Sequence, residues 1–147
     1  MKAASTPVAS SSDPTVMERW WTKFWKLRAP PKVKLLCWRV CLGQIPARAV
    51  LAKKRITSDD SCPVCQEARE TVFHAFWGCR WSRRVWKEVG FGHILPPFRD
   101  GDVFDAILRA TETLEVRFHE LFITIIWELW NHRNNVLAGR SAWSQPS

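Results

Sequence analysis

The run CPVCQEARETVFHAFWGC, from Cys62 to Cys79, restricts the fold of this chain more than any other stretch. It sets Cys62 and Cys65 as a C-x2-C pair, then His74, then Cys79. Three thiols and one imidazole are the donors a tetrahedral zinc ion takes. A C-x2-C pair turns tightly enough for two sulfurs to reach one ion about 2.3 Å away, and Pro63 stiffens that turn. His74 and Cys79 are five residues apart. On an unbroken helix that spacing separates them by about 140°, too wide for one ion. Gly78 is expected to end the helix and let the chain reverse before Cys79. Cys79 then lies at a helix N-terminus, where the dipole and Arg80 favour thiolate over thiol.

Three cysteinates and a neutral histidine leave no open coordination position, so one structural zinc is expected rather than a catalytic one. Structural zinc in finger peptides contributes roughly 10–16 kcal/mol of apparent binding energy, comparable with the stability of a whole domain. The competing readings are isolated core cysteines and a redox C-x-x-C, and the latter wants a βαβ context that this chain lacks. Of the five cysteines, Cys37 and Cys41 remain outside the pattern, at i, i+4 on an expected helix, and read as core. An odd cysteine count suits a reducing, intracellular location, nucleus or cytoplasm, better than a disulfide framework. Asp59-Asp60 reads as a solvated loop, and His93, His119 and His132 have no partner pattern. No Gly-rich phosphate loop, nucleophile elbow or Cys/His/Asn arrangement is present. Neither catalysis nor a small-molecule substrate is therefore expected.

Helical periodicity dominates the rest of the chain, and the fold class expected is mainly all-α: a small zinc-stapled helical domain with a CCHC knuckle and a long C-terminal helix. Residues 1–16, rich in Ser, Ala, Thr and Pro, read as a disordered tail. From Met17 to Leu27 apolar residues recur at helical spacing until Pro30-Pro31 stops them. Pro31 can open the next helix, through Leu42, and Gly43 can end it. Pro46 can open a third, through Lys54. A helix is expected to start at Cys79, with Trp81, Val85, Trp86 and Val89 inward. Asp102 is a good N-cap for a helix to about Ala110. Thr113 can cap the last helix, from about Leu114 to Leu137, where Phe118, Leu121, Phe122, Ile125, Ile126 and Leu129 form a stripe. The divisions expected are a zinc-binding domain at 17–92, a linker at 93–101, a helical region at 102–139 and a tail at 140–147. The most apolar run, Leu121 to Trp130, is about half the length needed to cross a bilayer, so no membrane partner is expected.

The net charge of +8 points to an anionic partner. Between Arg19 and Arg55 the chain has no acid, and its cations alternate with Trp20, Trp21, Trp25 and Trp38. Phosphate neutralisation plus aromatic stacking is a usual grip on single strands. Lys32, Lys34, Lys53, Lys54 and Arg55 fall outside the apolar stripes and are the expected phosphate contacts for RNA or single-stranded DNA. The tryptophans serve equally well as core at helical spacing.

Residues 25–39 (WKLRAPPKVKLLCWR), then Ile45-Pro-Ala-Arg48, Cys62-Pro-Val-Cys65, Glu70-Thr-Val-Phe-His74, Cys79 and Val85-Trp86, resemble the reverse-transcriptase zinc-binding domain of plant non-LTR (LINE-type) retrotransposon polyproteins and of host proteins derived from them. The resemblance covers about residues 20 to 92. Trp127-Glu-Leu-Trp-Asn-His-Arg-Asn134 looks like the Trp/Arg-Asn helix that follows that domain before an RNase H-like domain. The resemblance implies zinc at Cys62, Cys65, His74 and Cys79. It lends a module and not an activity, because the polymerase carboxylates and the RNase H-like domain are not in this sequence. Two other roles stay open beside nucleic-acid binding: a structural or protein-interaction module, and a decayed element fragment.

Overall fold

A computed structural model describes residues 13–97 and 100–139. The expected tails at 1–16 and 140–147 therefore lie outside the described residues, apart from Asp13 to Val16. Those four do not read as a tail. Helix α1 spans Pro14–Trp25, with Pro14 at its first position and the Asp13 carboxylate accepting from the Thr15 N–H at 2.9 Å. An Asp cap followed by a proline whose missing N–H would have been an orphan anyway is a strong start signal, and it outweighs the polar composition around it.

The helices that follow keep close to the apolar pattern. Helix α2 is Pro31–Cys41, with Pro31 in its first turn, and Gly43 takes the left-handed φ of 67° just beyond it. The short α3 is Arg48–Lys53 and α4 is Arg80–Glu88, with Cys79 as N-cap. Asp102 caps α5, Val103–Thr113, accepting from the Asp105 N–H at 2.8 Å. The last helix, α6, is His119–Leu137. Thr113 does not cap it: Thr113 ends α5, and a 3-10 turn at Val116–Phe118 intervenes. Among the described residues there is no strand, and the only pairing is an isolated antiparallel bridge between Ser61 and Arg69.

Arg28, ahead of α2, gives its backbone N–H to Glu120 of α6. Pro46, beyond α2, accepts from Arg133 near the other end of α6. The two helices therefore run side by side in the same direction. α5 packs on α2, and the segment His74–Gly78 packs on α4 and α6. The buried apolar residues form one cluster from Val16 to Trp130. In α4 Ser82 and Trp86 are buried and Trp81 and Val85 are half-buried against the core, as expected of the three apolar residues, while Val89, just beyond the helix, is exposed. Ser82 is tolerated inside because its hydroxyl donates to the Ala75 carbonyl at 2.6 Å.

The tryptophans are shared between core and surface. Trp20 stacks on Phe24 and donates its indole N–H to Thr111 at 3.1 Å, which ties α1 to α5. Trp77 and Trp86 are fully buried and stacked, with centroids 5.1 Å apart. Trp86 donates to the Phe76 carbonyl at 2.8 Å, whereas the buried Trp77 N–H has no partner among the described residues. Trp25 is exposed.

Candidate metal centre

The site is assembled from two dissimilar pieces. The first is a turn built on Cys62. Its N–H donates to Ala68 at 2.7 Å and its carbonyl accepts from Gln66 at 2.9 Å. Gln66 takes a left-handed φ of 58° to close the turn. Inside it the Glu67 N–H points at the Cys65 sulfur, 3.4 Å away, which is how a knuckle presents backbone dipoles to a thiolate.

The second piece is a single π turn at His74–Gly78, closed by the Cys79 N–H donating to the His74 carbonyl at 2.7 Å. The helical run ends at Gly78 and Cys79 is extended before α4, as expected, but Gly78 itself does not adopt a left-handed conformation. An i→i+5 bond widens the turn by one residue, so residue i+5 comes back over residue i. The five-residue spacing of His74 and Cys79 thus becomes correct for one ion. Thr71 fixes the start of the turn, its hydroxyl accepting from the His74 N–H at 2.9 Å.

Together these pieces bring Cys62 Sγ, Cys65 Sγ, Cys79 Sγ and a His74 ring nitrogen within 4.8 Å of one another. Cys62 and Cys79 sulfurs are 4.0 Å apart, and Cys65 Sγ lies 3.4 Å from His74 Nε2. Around a tetrahedral zinc, with bonds of about 2.0–2.3 Å, neighbouring donor atoms lie roughly 3.5–3.8 Å apart. The donor set and its spacing fit one zinc ion. Cys37 and Cys41 are buried in the core and do not belong to this group.

The electrostatics of the metal-free thiols show what zinc must displace. Hydrogen bonding with the Cys79 thiol, reinforced by burial, pushes the Cys62 thiol up to about 12. The same contact lowers Cys79, helped by the Ser82 and Trp81 N–H groups at the start of α4. Burial raises Cys65. One open cleft of about 450 Å³ reaches the site at Cys65 and His74, while Cys62 and Cys79 face inward.

Glu70, between the two pieces, is fully buried. Arg133 of α6 grips it with two bonds, Nε to Oε2 at 2.8 Å and Nη2 to Oε1 at 2.6 Å. Oε1 also accepts the Arg48 N–H at 2.8 Å, and the Glu70 carbonyl accepts the Ala49 N–H at 2.9 Å. The carboxylate thereby caps the start of α3, where the dipole favours an anion. This pair escaped the sequence reading, yet a signal was there. Ile126, Leu129, Trp130 and Arg133 are spaced i, i+3, i+4, i+7, so Arg133 stands in a core register and needs a buried acid.

The expected phosphate contacts fare differently. Lys53, Lys54 and Arg55 are exposed at the end of α3 and form no ion pair with the described residues. Lys32 is exposed, with its ammonium 5.2 Å from the Trp127 ring centroid. Lys34 is committed inside the chain: it donates to the Trp25 and Leu27 carbonyls at 2.9 and 3.0 Å, closing the end of α1. Asp59 and Asp60 pair with Arg48 and Arg69, as a solvated loop would.

A helical module stapled by a closed Cys3His site is the class that this fold and site define. Residues 7–86, more than half of the chain, match the family model described as zinc-binding in reverse transcriptase, and the chain belongs to that family. The family is the zinc-binding part of reverse transcriptase, not its catalytic domain. No curated protein and no solved structure matches the chain significantly. Among the described residues no helix is long and apolar enough to cross a membrane.

Proposed function

We propose that this chain is a non-catalytic, retroelement-derived module, of the plant LINE type, that binds RNA or single-stranded DNA. Its zinc shapes the fold and its cations grip phosphate. The observation carrying this reading is the cationic tip of α3, where Lys53, Lys54 and Arg55 stand exposed with no acid paired to them among the described residues. Unpaired cations on a chain of net charge +8 attract a polyanion. Lys32 adds a cation on α2, whereas Lys34 is left out because its ammonium already serves α1. Cysteines that are all unpaired fit a reducing compartment, nucleus or cytoplasm.

The test is a titration of the zinc-loaded protein with a fluorescent 20-nucleotide RNA and the matching DNA strand across salt. Each phosphate neutralised on a single strand contributes about −0.7 to the slope of log K against log salt. Lys53→Ala with Lys54→Ala should flatten the slope by about 1.4 and leave zinc content unchanged. A slope near zero in the unmutated protein, or one that the double variant does not alter, refutes the reading.

A further inference from the structure

A second surface has a different chemistry. Trp25, Leu35 and Leu42 are 45%, 44% and 38% exposed, respectively, at the end of α1 and along the outer ridge of α2. Leu35 and Leu42 are seven residues apart, so they stand about 10.5 Å from each other along one side of the helix. Trp21 joins the two helices beneath this ridge, with centroids 4.9 Å from Trp25 and 3.9 Å from Trp38. Lys26, Arg28 and Arg39 are exposed around it, and no Asp or Glu occurs from Arg19 to Ser58. From the neighbouring α6, Glu120 is occupied by the Arg28 backbone N–H.

Two features set this ridge apart from a nucleobase platform. The rings are already used within the chain: Trp25 has both Trp21 and the Lys34 ammonium, 4.7 Å from its centroid, against it. Stacking of bases needs open ring faces. The exposed residues on the ridge itself are aliphatic, and two leucines seven apart are what a facing helix takes as knobs between its own side chains. The cationic rim then selects the partner's charge. We infer that the outer ridge of α2, with Trp25 at its head, docks an amphipathic helix of a partner protein, with apolar residues at i, i+3 or i+4 and i+7 and carboxylates on its flanks. A ridge of one 11-residue helix gives an interface at the small end of the range, so micromolar rather than nanomolar binding is expected.

The experiment pans the zinc-loaded full chain against a displayed library of 20-residue peptides on a helical frame with one randomised face. Selected peptides should converge on the apolar spacing with Glu or Asp beside it. Leu35→Glu and Leu42→Glu should each weaken the synthetic winner by tenfold or more, with zinc content and near-ultraviolet dichroism unchanged, because both residues are exposed. Arg39→Glu should do the same and be rescued by a peptide whose facing acid is Lys. No convergence, or equal binding to Leu35→Glu, overturns the inference. So does a 20-nucleotide single strand whose binding Leu35→Glu abolishes, which would make the ridge a nucleic-acid site. A dimer that Leu35→Glu dissolves would make its occupant a second copy, and this too would overturn it.

Discussion

The two halves of the Cys62–Cys79 stretch hold the same ion by opposite means. In the first half Gln66, Glu67, Ala68 and Arg69 are all exposed, and the turn is shaped by a few backbone bonds around two sulfurs. In the second half Glu70 and every residue from Val72 to Cys79 are buried, and the π turn packs between α4 and α6. Burial of apolar area shapes the second half whether or not metal is present. The first half has too little apolar surface to offset its ordering entropy and depends on the metal. Zinc here fastens a loop onto a preformed wall.

Metal removal should therefore act unevenly. With a strong chelator, amide protection over residues 57–69 should collapse in hydrogen exchange, while α4 and the π turn keep most of theirs. Cys62→Ser should behave like the chelated protein. Uniform loss across the chain would show that both halves depend equally on zinc. The next largest effect falls on the joint between them. Breaking a buried ion pair by removing one partner costs about 3–5 kcal/mol, so Arg133→Met should lower the urea midpoint sharply. Adding Glu70→Leu should recover part of the loss, leaving about 1–3 kcal/mol for the stranded Arg48 N–H.

Proton release measures how the thiols share the metal-free site. Cys62, held near 12, and Cys65, raised by burial, both carry protons at neutral pH and must lose them to bind zinc. Affinity should then rise with pH, by at least about 100-fold per unit around neutrality, for the protons of Cys62 and Cys65. Competition titrations between pH 6.5 and 7.5 read this slope directly, and a slope of one proton or fewer would remove the sharing between Cys62 and Cys79. The smallest effect probes the wall alone. Trp86→Phe loses a buried hydrogen bond and Trp77→Phe does not. The first should cost about 1 kcal/mol more than the second in chemical denaturation.

The ligands were legible because zinc coordination imposes residue types and spacings that hold whatever the surroundings. Helix existence was legible from periodicity, and the start at Pro31 and the cap at Asp102 from their chemistry. The π turn was not, since nothing in HAFWG differs locally from an ordinary helix and the extra residue is accommodated by packing and the ligand geometry. α1 starts ahead of the expected Met17 because the Asp13-Pro14 pair outweighs the polar composition around it. Leu121 was expected inside and is exposed. Ile123, off the expected stripe, is fully buried instead, because α6 is covered on more than one side. The core register of Arg133 calls for a buried acid, but nothing local marks Glu70, 63 residues away, as that acid.

Long separations also govern how the chain comes together in time. Trp20 finds Thr111 across 91 residues and Arg28 finds Glu120 across 92. During synthesis α1 emerges about ninety residues before the residues that receive it. Trp20 lacks its partner on α5 until then, so an aromatic-rich segment is open to chaperones and to aggregation while the intervening chain is made. For a helical protein, closure over such distances makes refolding slower than in bundles joined by local contacts.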